Sequence, residues 1–134
     1  MTRFVASFVL ASLALSFFAL PAAAQSREGK KLFHVVSLKF KPDASKDQIK
    51  AVEDAFKGLK EKIPGIAAMT WGTNVSPEKH DKGFTHCFIL VFDNEKARDE
   101  YLPHPDHKAF GKVLGPVMAD VFVIDFWGDA PAHH

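Results

Sequence analysis

The chain is poor in cysteine, in tyrosine and in net charge. Its 134 residues include one Cys and one Tyr, and 17 Lys and Arg stand against 16 Asp and Glu, a formal net charge of +1. Cys87 has no partner within the chain, so an oxidising compartment gains no internal staple from it, and its place in an apolar alternating segment predicts a buried structural thiol. Without a basic excess there is no electrostatic footprint for nucleic acid or an anionic membrane surface, so the expected ligand is neutral or small. Repeats, low-complexity tracts and internal linkers are also missing, which together with the length leaves one domain.

What the sequence does have is an apolar N-terminal run. Arg3 supplies a short positive region, Phe4 to Leu20 is almost wholly apolar, and Ala22-Ala23-Ala24 precedes Gln25. This pattern predicts a cleaved signal peptide over residues 1–24 and an exported protein, periplasmic or secreted, with no stable membrane association after cleavage. An uncleaved anchor is the alternative, because the run approaches the roughly 20 residues that span a bilayer. Loss of Arg3 would leave sixteen basic residues against sixteen acidic ones. A chain of about 110 residues buries roughly two-thirds of its unfolded surface, which leaves room for dimerisation to help.

Periodicity gives the elements. Leu32 to Phe40 alternates with period two, placing His34, Val36, Leu38 and Phe40 on one face. Pro42-Asp43 breaks this strand, and Ser45 with Gln48 has the form of a capping box. Ile49, Val52, Phe56, Leu59 and Ile63 then form one apolar stripe of a helix that stops at Pro64-Gly65. Ile66 to Val75 reads as a second strand, and Ser76 to Gly83 as its turn. Phe84 to Phe92 is the clearest strand, with His86, Phe88, Leu90 and Phe92 on one face and Thr85, Cys87, Ile89 and Val91 on the other. Both faces are apolar, so helices must cover one, and a second subunit is the natural candidate to cover the other. Asp93-Asn94 caps a short helix through Leu102. A further helix from about Asp106 is expected to turn Phe110, Val113, Leu114 and Val117 inward, with Val121 to Trp127 as the final strand. The order is βαββαβ, an α+β arrangement. The expected boundaries are a linker over 25–31, the domain over 32–127 and a disordered tail over 128–134.

His34-Val-Val-Ser-Leu-Lys-Phe-Lys, Ile63-Pro-Gly, Trp71-Gly, Gly83-Phe-Thr-His86, Tyr101-Leu-Pro-His104-Pro-Asp-His107 and Val123-Ile-Asp-Phe, in this order, resemble the stress-responsive dimeric α/β-barrel (Dabb) family. The resemblance implies a ferredoxin-like unit with a four-stranded antiparallel sheet, paired through the sheet face as a homodimeric barrel. It also implies a small pocket in each subunit on the helix side of the sheet. A plant cyclase of the family closes a polyketide ring by an aldol reaction with a tyrosine and a histidine at positions matching Tyr101 and His107. Glu53 departs from that cyclase, which has an aromatic there. Export departs as well, since polyketide and acyl substrates are made as thioesters of intracellular carriers.

The candidate site residues follow. His107 and the Tyr101 hydroxyl form a candidate acid-base pair for a lyase or cyclase without cofactor. The competing reading is that His104-Pro105-Asp106-His107 is a fold device, with Pro105 restricting His104 and the imidazoles capping the adjoining helix. His34, Val36, Phe56, His86, Phe88 and Val123 are the candidate ligand-binding residues for a small apolar or aromatic molecule. Phe56 and Phe88 are equally well explained as core, and Phe92 is core. A metal site made by His34, His86 and His107 is disfavoured: antiparallel strands would set the first two up to roughly 20 Å apart. No cofactor is expected, and His80, His133 and His134 are solvent positions. The sequence thus favours a homodimeric small-molecule binder over an enzyme or a purely structural stress protein.

Overall fold

The computed structural model describes residues 29–130. The expected signal peptide, Gln25, His133 and His134 lie outside the described residues. Seven elements follow in order: β1 (Lys30–Phe40), α1 (Lys46–Lys62), β2 (Ala68–Thr73), β3 (His86–Phe92), α2 (Glu95–Tyr101), α3 (Pro105–Leu114) and β4 (Met118–Asp129). The four strands form one antiparallel sheet in the order β2-β3-β1-β4. This is the ferredoxin-like α+β arrangement, with the second helical segment divided at Pro103.

Local chemistry explains the helix starts. At Ser45 both halves of the capping box are made: its hydroxyl accepts the Gln48 N–H, and the Gln48 side chain accepts the Ser45 N–H. Asn94 caps α2 by accepting the Ala97 N–H. His104 caps α3, with its Nδ1 accepting the Asp106 N–H at 3.2 Å and Pro105 at the first helical position, where a missing N–H costs nothing.

The core lies between the sheet and the helices. Val52, Phe56 and Leu59 of α1 bury against Val36, Leu38, Phe88, Leu90 and Phe92, joined by Ile63, Ile66, Phe110, Leu114 and Val117. Phe56 and Phe88 stack at 3.8 Å between ring centroids, and Phe110 meets Phe56 edge-on at 4.8 Å. Val113 does not join them. It is 40% exposed, because the inward line of α3 runs through Phe110 and Leu114 and leaves Val113 on the flank.

The strands run past the expected boundaries. Lys30 and Lys31 pair with Asp129 and Gly128, so Gly128 and Asp129 belong to β4 rather than to a loose tail. The second sheet face is bare, and β4 is its most exposed strand: Phe122, Ile124 and Phe126 are each about half-exposed there. Cys87 also faces this side and is half-buried, not buried, because no element of the described chain covers it. Among the described residues no helix is long and apolar enough to cross a membrane.

Candidate functional site

Tyr101, the last residue of α2, is the centre of the site. Its ring is 1% exposed and packs against three others: His107 at 4.3 Å, Phe92 at 5.3 Å and His34 at 5.7 Å. Burial pushes the phenol well above its ordinary value of 10.0, so the hydroxyl stays protonated and acts as a hydrogen-bond donor rather than an anion. The turn through Leu102 and Pro103 brings α3 back on Tyr101, with the His104 N–H donating to the Tyr101 carbonyl at 3.0 Å.

His107 sits in the first turn of α3, part-exposed. Its Nδ1 lies 2.9 Å from the Leu102 carbonyl oxygen, which can only accept, so Nδ1 carries the proton. In the neutral ring the lone pair is then on Nε2, the nitrogen able to take a proton from a bound molecule. His104 does different work. With its Nδ1 spent on the helix cap, it matches the capping role for one histidine of the motif and leaves His107 as the proton-transfer candidate.

Behind Tyr101 lies a group that periodicity alone does not single out. His34 Nδ1 is 2.7 Å from Asp125 Oδ1, and Arg98 Nη1 pairs with Asp125 Oδ2. Burial works to raise the Asp125 carboxyl, but hydrogen bonds from His34 and Arg98 outweigh it and hold the group below its ordinary value. The ionised carboxylate fixes His34 as the Nδ1–H tautomer and orients its ring edge-on to Tyr101. The signal available in the sequence was Asp125 itself, an acid inside the apolar run Val121 to Trp127.

The second strand histidine belongs to another cluster. β1 and β3 pair His34 with Leu90 and Leu38 with His86, which separates the histidines by four residues along the sheet, roughly 13 Å. His86 Nε2 is 2.9 Å from Glu53 Oε1, its Nδ1 is 2.8 Å from the Thr85 hydroxyl, and Trp71 and Phe40 flank its ring. The structure therefore brings His34, Tyr101 and His107 together and places His86 elsewhere. No group of three or more His, Cys, Asp or Glu side chains converges among the described residues. Val36 is buried in the core cluster that holds the Phe56 and Phe88 stack, whereas its neighbour Val123 is 47% exposed on the outer strand. Ring contacts run without a break from Trp71 through Phe88, Phe56 and Phe110 to His107 and Tyr101.

The chain is similar to known proteins. Residues 32–128 match the Stress responsive A/B Barrel Domain, Dabb. The stress-response A/B barrel domain-containing protein HS1 of Arabidopsis thaliana is 32% identical over 93 residues, covering 69% of this chain and 85% of that one. Olivetolic acid cyclase of Cannabis sativa is 26% identical over 93 residues, covering 69% of this chain and 92% of its own length. A dimeric ferredoxin-like protein from Jannaschia sp. CCS1 superposes with a TM-score of 0.63 at 25% identity, over 72% of this chain and 97% of that one. Fold, motif order and these similarities agree: the chain belongs to the Dabb family of stress-responsive A/B barrel domains.

Proposed function

We propose that this chain is an exported, homodimeric Dabb protein that binds a small apolar or aromatic molecule on the helix side of the sheet, its polar group held by Tyr101 and His107. The observation that carries this reading is the contact between these two residues at the end of a continuous line of ring contacts. A buried phenol that stays protonated and an imidazole with a free Nε2 together offer one donor and one acceptor to the polar end of a ligand. His34, Val36, Phe56, Phe88 and Val123 complete the proposed surroundings, while His86 and Glu53 add a polar group at the far end.

Titration of the mature dimer, in a Trp127→Phe background that leaves Trp71 as the one fluorescent indole, with alkylphenols tests the reading, since Trp71 stacks on Phe88 at 5.3 Å. Saturable binding that Tyr101→Phe weakens about tenfold supports it, by loss of one buried hydrogen bond. Absence of saturation, or equal affinity in the variant, contradicts it.

The fixed tautomer of His107 favours a second reading, in which the same pair performs acid-base chemistry of the lyase or cyclase type. His107 Nε2 would remove a proton beside a carbonyl while the Tyr101 hydroxyl donates to the developing enolate oxygen. A base of this kind contributes roughly 10²- to 10⁴-fold. Similarity to olivetolic acid cyclase supports the reaction class, and expected export argues against the same substrate. Loss of turnover in His107→Ala with dimer and fold intact would establish it, and unchanged turnover would dismiss it.

A further inference from the structure

The bare sheet face is a wedge. Ladder pairing aligns Phe122, Ser37, Cys87 and Gly72 in one row that crosses the strands in the order β4, β1, β3, β2. The next two rows run from Ile124 to Thr70 and from Phe126 to Ala68. In each row the β4 residue is larger than the β2 residue, and the three β4 side chains are about half-exposed. Three strand spacings, roughly 14 Å, separate the thick edge from the thin one. At the thin edge a Cβ added at Gly72 would meet nothing within 4 Å, and Gly72 and Cys87 line a depression of about 600 Å³.

Charge bounds these rows at both ends. Lys39 pairs with Asp120 in the row beyond Ser37, and Lys31 pairs with Gly128 in the row beyond Phe33. An apolar centre with a charged rim is the composition of a protein interface. Sheets that pack face to face lie about 10 Å apart, and the side chains between them must fill that gap evenly. A face that is thick along β4 and thin along β2 does so against a reversed copy of itself. In an isologous dimer a two-fold axis parallel to the strands supplies the reversal, laying β4 of one chain over β2 of the other. An axis across the strands would lay β4 on β4, so that large side chains meet large ones and the two β2 edges enclose a void.

Given the homodimer proposed above, we propose that its two-fold axis runs along the strands, with Phe122 seated in the depression over the partner's Gly72 and Ile124 over the partner's Thr70. The occupant of the depression is then a side chain of a second copy. Cys87 faces the partner's Ser37, which covers the half-buried thiol without pairing it to its own copy. The two free edges of the sheet, β2 and β4, come side by side across the chains, where a barrel closes and neither edge is left open.

Gly72 and Phe122 of one chain stand at opposite edges of the sheet, too far apart to touch, so coupling between them crosses the interface. A double-mutant cycle on the purified protein, read by sedimentation equilibrium, measures that coupling. Gly72→Leu, which fills the depression, and Phe122→Ala, which removes its occupant, should each raise the dimer Kd at least about tenfold. The double variant should dimerise more tightly than either single one, because the new leucine takes up the space that the phenylalanine leaves. Thr70→Leu with Ile124→Ala repeats the cycle in the next row, in case Gly72→Leu disturbs β2, and circular dichroism reports whether each variant folds. Additive losses in both cycles, or coupling of Phe122→Ala to Phe126→Ala in their place, overturn this geometry while the dimer stands. A wild-type chain that sediments as a monomer overturns the homodimer itself, and this arrangement with it.

Discussion

His34 Nδ1 lies 2.7 Å from Asp125 Oδ1, and the other oxygen of that carboxylate is held by Arg98. Strand β1, strand β4 and helix α2 thus meet in one ionic network directly behind Tyr101. The pairing links stability to the geometry of the site, because the carboxylate that holds the sheet edge also sets the tautomer of the histidine facing the phenol.

Asp125 makes stability depend on acid. Its folded-state pKa lies below the ordinary 3.8, so the stabilisation is complete above that value and disappears as pH falls through the lower folded-state value. Asp125→Asn should lower stability by about 1–3 kcal/mol at neutral pH. It should also flatten the loss between pH 4 and pH 2 relative to wild type, which urea unfolding at several pH values measures.

Phe88 is fully buried and stacks on Phe56. Phe88→Ala removes that ring and leaves a cavity between α1 and the sheet, with an expected cost of about 3–5 kcal/mol. Chemical denaturation at fixed pH gives the value. A loss under about 1 kcal/mol would mean that the core is looser than its packing indicates.

Ser45 makes both bonds of its capping box. Ser45→Ala should cost about 1 kcal/mol and fray the first turn of α1. Amide exchange at Gln48 reads the effect locally, where Ser45 Oγ is the acceptor.

Ile124 is 46% exposed on the bare face. A lysine there should convert a dimer to a monomer without changing helix or strand content, since neither α1 nor the core touches this side. Sedimentation gives the mass and circular dichroism the secondary structure. A dimer that persists would place the subunit contact elsewhere.

Much of the fold was legible because its pattern is local. The alternation of Leu32 to Phe40 and the stripe from Ile49 to Ile63 each declare a buried face within one element. What periodicity misses depends on partners distant in sequence. Gly128 and Asp129 look like a tail by composition, yet Lys31 and Lys30 pair with them and extend the strand. Val113 carries an inward residue type but lies beside the line that Phe110 and Leu114 define. Cys87 sits in a strand whose second face finds no cover within the described chain, so apolar alternation overstated its burial.

The site divides in the same way. Tyr101 and His107 were visible as a motif because six residues and two prolines hold them together. The role of Asp125 was not, since His34 lies 91 positions away and Arg98 lies 27. His34 and His86 looked alike on matching strand faces, and only the antiparallel register assigns one to Tyr101 and the other to Glu53.

The most direct test of the Tyr101 and His107 site is native mass spectrometry of the protein purified gently from its own cells and their medium, beside the Tyr101→Phe, His107→Ala double variant prepared identically. The account predicts two chains beginning at Gln25, carrying a reproducible small adduct that the double variant loses while remaining a dimer. An adduct-free wild-type dimer, or an adduct retained unchanged by the double variant, would contradict it.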